Sequence, residues 1–166
     1  MAEAMAQRGL SSHFACPSLS PVPDQAIADL SALIEAAKGP VTLIGSSLGG
    51  HYATHLAEKY ALRAVLVNPA VVALLDTSRF VGEQVHFHSG ERFVFTPEHA
   101  EQLRAQVRTP TPENYWVLLE EGDEVLDWHL AQTFYTGCHQ TVLPGGDHSF
   151  TRFPDFVPQI LNYAGI

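Results

Sequence analysis

The sequence predicts an α/β fold, a parallel sheet with helices on both faces, and three observations carry that expectation. Short apolar runs recur at Val41–Ile44, Ala64–Val67, Tyr115–Leu119 and Gln140–Leu143. Runs of this length that do not alternate with polar residues suit strands buried on both faces, as in a parallel sheet. Helical spacing fills the intervals between them, so strand, helix and strand alternate, and right-handed crossovers then place the helices on the sheet faces. A length of 166 residues suits one domain with a sizeable core and leaves no room for two comfortable ones.

Taken in order, Ala2–Gln7 reads as a helix stopped by Gly9. Ser12–Cys16 suits a short strand. Pro17-Ser18-Leu19-Ser20-Pro21-Val22-Pro23 must be loop, since neither a helix interior nor a central strand tolerates three prolines. Asp24 is placed to cap a helix whose apolar face is Ile27, Leu30, Leu33, Ile34 and Ala37, and Gly39-Pro40 ends it. After the strand at Val41–Ile44, Leu48, Tyr52 and Leu56 share one face of the next helix. Ala64–Val67 is closed by Asn68-Pro69. From Ala70 to Asn114 the pattern loosens, with Phe80, Phe87, Phe93 and Phe95 scattered before a helix opened by Thr96-Pro97-Glu98 and running to about Val107. Residues 70–114 read either as a lid-like insertion over the carboxyl ends of the strands or as a surface excursion with a satellite core of its own. Tyr115–Leu119 is the next strand, Glu120–Val125 a carboxylate-rich loop, and Asp127 the cap of a helix through Phe134. Gln140–Leu143 is the last strand. Phe156, Ile160 and Tyr163 form the stripe of a terminal helix.

Composition narrows the classes of partner. Eighteen Asp and Glu against nine Lys and Arg give a formal charge of −9, which opposes nucleic acid and anionic membrane surfaces. The first eight residues lack the apolar core of a signal peptide, and no run approaches the roughly 20 apolar residues of a membrane span. Cys16 and Cys138 have neither disulfide-framework nor zinc-knuckle spacing. A cytoplasmic protein with reduced thiols and a small-molecule substrate is the expectation. His51 and His55 are spaced for one helical face, but Tyr52 stands where a zinc-protease motif needs Glu, and His86 and His88 have no evident third ligand, so no metal is expected.

The chemistry centres on Gly45-Ser46-Ser47-Leu48-Gly49, where the apolar strand breaks sharply into a helix. A serine in that turn projects its hydroxyl from a strained backbone, and the expectation is that Gly45 and Gly49 remove side chains that would collide. A serine hydroxyl is a poor nucleophile until a base takes its proton and a third group orients the base. His148 just past the last strand and Asp123 just past the preceding one would gather with Ser47 at the carboxyl edge of the sheet. Ser, Asp, His is the α/β-hydrolase order. Glu121, Glu124 and Asp127 compete with Asp123, and Asp147 is a less suitable acid because it adjoins the histidine.

Ile44–Gly50, Val67-Asn68-Pro69-Ala70-Val71, Gly122-Asp123-Glu124-Val125-Leu126-Asp127 and Gly145-Gly146-Asp147-His148-Ser149-Phe150 together resemble the YqiA-type esterases, small single-domain bacterial α/β hydrolases. The resemblance runs from about Pro17 to the C-terminus. It implies Ser47 as nucleophile, His148 as base and Asp123 as orienting acid in a cofactor-free esterase acting on short-chain carboxylic esters, with the N–H of Leu48 as an oxyanion donor. Thioester hydrolysis is the near alternative.

Members of that family begin with an apolar strand and a His-Gly-Phe loop that gives a second oxyanion donor, and neither is present here. A non-catalytic, hydrolase-like binding protein is therefore a further alternative. The absent strand would lie centrally, between Ser12–Cys16 and Val41–Ile44. The expectation is that the numbered sequence begins late, with Met1 or Met5 internal to the native protein. Val41–Ile44 must then pair directly with Ser12–Cys16 or expose an unpaired apolar edge, and the second oxyanion donor should be absent.

Overall fold

The computed structural model describes residues 1–85 and 90–166. Four parallel strands form its main sheet: β1 (Thr42–Ser46), β2 (Arg63–Val67), β5 (Tyr115–Glu120) and β6 (His139–Leu143), side by side in that order. β3 (Gly82–Val85) and β4 (Arg92–Phe95) form a separate antiparallel hairpin. The helices are α1 (Ala2–Gln7), α2 (Pro23–Ala36), α3 (Leu48–Tyr60), α4 (Pro97–Ala105), α5 (Trp128–Phe134) and α6 (Phe153–Ala164). The fold is the expected parallel α/β sheet with helices on both faces.

Alternate residues of the strands feed two cores, because successive side chains point to opposite faces. Ala64 and Leu66 of β2 and Tyr115, Val117 and Leu119 of β5 pack against Ala53 and Ala57 of α3 and Ala131 of α5. Val65, Val67, Trp116 and Leu118 face the other way, onto Phe150 and Ile160, with Phe156 and Tyr163 of α6 beside them. The expected stripe of the terminal helix is thus a core face. A third cluster lies outside α3, where Tyr52 meets Ala26 of α2, Val72, Phe95, and Ala100 and Leu103 of α4. Of the scattered phenylalanines, Phe95 is buried, Phe80 is 49% exposed, and Phe87 lies outside the described residues, as do His86 and His88.

Two local expectations are corrected. Ser12–Cys16 is no strand: Ser11–His13 is a single 3₁₀ turn followed by irregular chain. Phe14 goes instead into an apolar cluster with Met5, Val157 and Leu161, so this segment is held by α1 and α6 rather than by the sheet. Asp24 does not cap α2. Pro23 occupies the first turn, where a missing N–H costs nothing, and Val22 is the cap residue. The Asp24 carboxylate instead accepts a hydrogen bond from Gln106 Nε2 at 2.9 Å. Leu33, counted with the apolar face of α2, is 46% exposed.

Without a strand from residues 12–16, β1 pairs only with β2 among the described residues. Of the two arrangements expected for it, the exposed edge is the one found, and Ile44 is 40% exposed there.

Candidate active site

The four parallel strands of the main sheet end on the same edge, and residues that follow them form the site. The β1 backbone turns at Ser47, whose φ of 52° and ψ of −124° are strained for a residue with a side chain. Three backbone hydrogen bonds hold it there. Its N–H donates to the Val67 carbonyl at 3.0 Å, and its own carbonyl accepts from Gly50 and Ala70, each at 2.9 Å. Leu48 follows as the first residue of α3, so its N–H has no acceptor within the helix and lies at the positive end of the dipole.

The glycines that make this turn are not the pair expected. A Cβ on Gly45 would stand 2.2 Å from the Gly49 carbonyl oxygen, and one on Gly50 2.6 Å from Pro69 Cβ. One on Gly49 would meet nothing within 4 Å. Gly49 matters through its backbone, which Gly45 allows to come close; Gly50 lets α3 settle against Pro69.

Ser47, His148 and Asp123 are brought together. His148 Nε2 is 3.0 Å from Ser47 Oγ, and its Nδ1 is 2.8 Å from Asp123 Oδ2 and 3.0 Å from Oδ1. A carboxylate only accepts, so Nδ1 carries the proton and Nε2 is left to accept from the serine hydroxyl. Asp123 is itself fixed, its Oδ1 accepting from the N–H groups of Val125 and Leu126 at 2.9 and 2.8 Å. Its side chain is 1% exposed and that of His148 19%, which keeps the pair largely out of water.

None of the competing acids meets the imidazole. Glu124 accepts the His148 backbone N–H at 2.9 Å, Asp127 caps α5 by accepting from His129 N–H, and Glu121 is exposed. Asp147 accepts from the Thr151 hydroxyl at 3.0 Å. His51 and His55 lie buried along α3. Burial, and then repulsion from His55, lowers the pKa of His51 to about 4. Burial also lowers that of His55, whose Nδ1 donates to the Gln106 carbonyl at 2.8 Å.

Sequence reasoning assigned no role to three residues that the structure places behind the site. Glu120, read as the first residue of a polar loop, is the last of β5 and fully buried. Asn68, with φ of 40°, and Arg152 complete a network around it. The Asn68-Pro69 pair that closes β2 was the one sequence signal available.

Solved structures share this architecture at low identity. A protein of Agrobacterium vitis S4, assigned as a hydrolase, superposes with a TM-score of 0.62 at 19% identity, over 87% of this chain and 69% of that one. Est1E from Butyrivibrio proteoclasticus gives 0.59 at 15%, over 84% and 67%. Tomato methylketone synthase I gives 0.60 at 11%, over 87% and 78%. Identities this low speak to the fold alone, and the fold hosts more than one chemistry. The family match reaches further along the chain, covering residues 1–165. The chain belongs to the uncharacterised protein family UPF0227, the YqiA-type family that its four motifs resemble.

Proposed function

We propose that the protein is a serine hydrolase of carboxylic esters that works through an acyl-enzyme. The single observation that carries this reading is the continuous chain from Ser47 Oγ through the His148 ring to Asp123, at 3.0 and 2.8 Å. Ser47 attacks the ester carbonyl while His148 Nε2 takes its proton. Asp123 holds the ring in the required tautomer and stabilises the imidazolium that forms. The Leu48 N–H donates to the oxyanion of the tetrahedral intermediate. His148 then protonates the departing alcohol, and a water activated by the same base releases the acid. Small acyl groups and a cytoplasmic setting belong to the same proposal.

The test pairs hydrolysis of short p-nitrophenyl esters with labelling by a fluorophosphonate. Ser47→Ala should lose both while keeping the wild-type melting curve. Full activity in that variant would overturn the assignment. A folded wild type that neither labels nor hydrolyses would favour a binding protein on a hydrolase fold. Thioesters pass through the same acyl-enzyme, so a matched panel of oxygen esters and thioesters separates those substrates.

A further inference from the structure

The loop that carries His148 is tied down by a buried charge. Glu120 has no exposed side-chain area, and Arg152 Nε lies 2.6 Å from its Oε1. That oxygen makes no hydrogen bond, so it is balanced by charge rather than by an aimed N–H. The other oxygen, Oε2, accepts the backbone N–H of Asp147, the residue before His148, at 2.6 Å. Gly146, with φ of 81°, passes so close that a Cβ there would stand 2.2 to 2.4 Å from the carboxylate atoms. Asn68 ties the same two segments together. Its Oδ1 accepts the Glu120 N–H at 2.9 Å, and its Nδ2 donates to the carbonyls of Asp147 and His148 at 3.1 and 3.3 Å.

An ion pair whose carboxylate is fully buried and whose arginine side chain is 35% exposed is a weak source of stability, since well-packed apolar side chains of the same volume often do as well or better. What this pair does provide is direction. Glu120 stands three residues before Asp123, and Arg152 four residues after His148, so the pair links the two segments that must hold the acid and the base 2.8 Å apart. We propose that the Glu120–Arg152 pair is a positioning device that fixes the 146–148 segment and so sets His148 Nε2 against Ser47 Oγ. The inference rests on the serine-hydrolase reading of Ser47, His148 and Asp123. Glu120 and Arg152 act through His148 and make no contact with the reacting atoms.

Glu120→Gln keeps the size and an acceptor for the Asp147 N–H but removes the charge. Misplacement of reacting groups by about 1 Å can cost about a hundredfold, so kcat should fall by roughly ten- to a hundredfold with KM within about twofold. Fluorophosphonate labelling should slow in step. The low-field proton resonance of His148 Nδ1–H against Asp123 should broaden or shift, and Arg152→Lys, which keeps the charge, should retain near-wild-type kcat. The double variant Glu120→Gln/Arg152→Met leaves no ion unpaired in the interior; it should melt cooperatively and show the same loss. Should the single variant not fold, the double variant carries the test. Unchanged labelling and an unchanged resonance in folded variants would overturn the positioning role and leave the hydrolase reading intact. A wild type that neither labels nor hydrolyses would overturn the hydrolase reading, while a resonance present in wild type and lost in the variants would still support the positioning role.

Discussion

At Gly45 the fit of a single hydrogen decides whether the elbow can form. Its position allows the first turn of α3 to lie against β1, with the Gly49 carbonyl 2.2 Å from where a Cβ would sit. That neighbour is backbone and cannot rotate away. Gly45→Ala should therefore cost about 3 kcal/mol or more, at or beyond the upper range for overpacking, or prevent folding. Gly49→Ala meets no atom within 4 Å and sits in helical backbone, so it should be neutral or stabilise by up to about 1 kcal/mol. Urea unfolding of the two variants checks the contrast, and equal effects would show that the turn does not depend on that approach. The same close-range logic places Gly146 beside the Glu120 carboxylate and Gly122 beside the Gly146 carbonyl, 2.5 Å from a Cβ.

Among the elements, β1 stands out because the nucleophile is built on its end while its outer edge pairs with no other strand among the described residues. Unpaired N–H and C=O groups with a 40% exposed Ile44 beside them form a template for association. Ile44→Lys places a charge on that edge and should reduce concentration-dependent association of the chain, read by light scattering from micromolar to hundreds of micromolar protein. Equal association of the two proteins would show that the edge is not responsible. β2 and β5 face no such problem, each being flanked by strands on both sides.

For the whole molecule, buried histidine links stability to pH. The pKa of His51 is lowered from 6.5 to about 4, first by burial and then by His55. Between those values the unfolded chain takes up a proton that the folded chain refuses. Stability therefore rises with pH through this window. As pH falls from about 6.5 to about 4, His51 should remove on the order of 3 kcal/mol, with no further loss below about 4. His51→Asn should flatten this acid limb by a comparable amount when unfolding is measured at pH 7 and at pH 4.5. An unchanged slope would show that His51 is not the group responsible. Among the described residues no helix is long and apolar enough to cross a membrane.

The sequence by itself determined the four parallel strands and the candidate site, because both are written in local signals. Apolar runs without alternation mark the strands at 64–67 and 115–119, and Gly-x-Ser-x-Gly after such a run marks a strand-to-helix turn. Ser47, Asp123 and His148 could be named together because a parallel sheet places the residues after each strand on one edge. What lay beyond local pattern was settled by tertiary packing. Phe14 has the same apolar character whether its segment pairs in a sheet or leans on α6, and only the cluster with Met5, Val157 and Leu161 decides the outcome. Glu120 looked like loop because a carboxylate is costly to bury. The charge that makes its burial tolerable comes from Arg152, 32 positions along the chain, and the amide that shares it from Asp147. Which glycine of the elbow is indispensable depends on the position of Pro69 and the first turn of α3, a close approach that no spacing rule encodes.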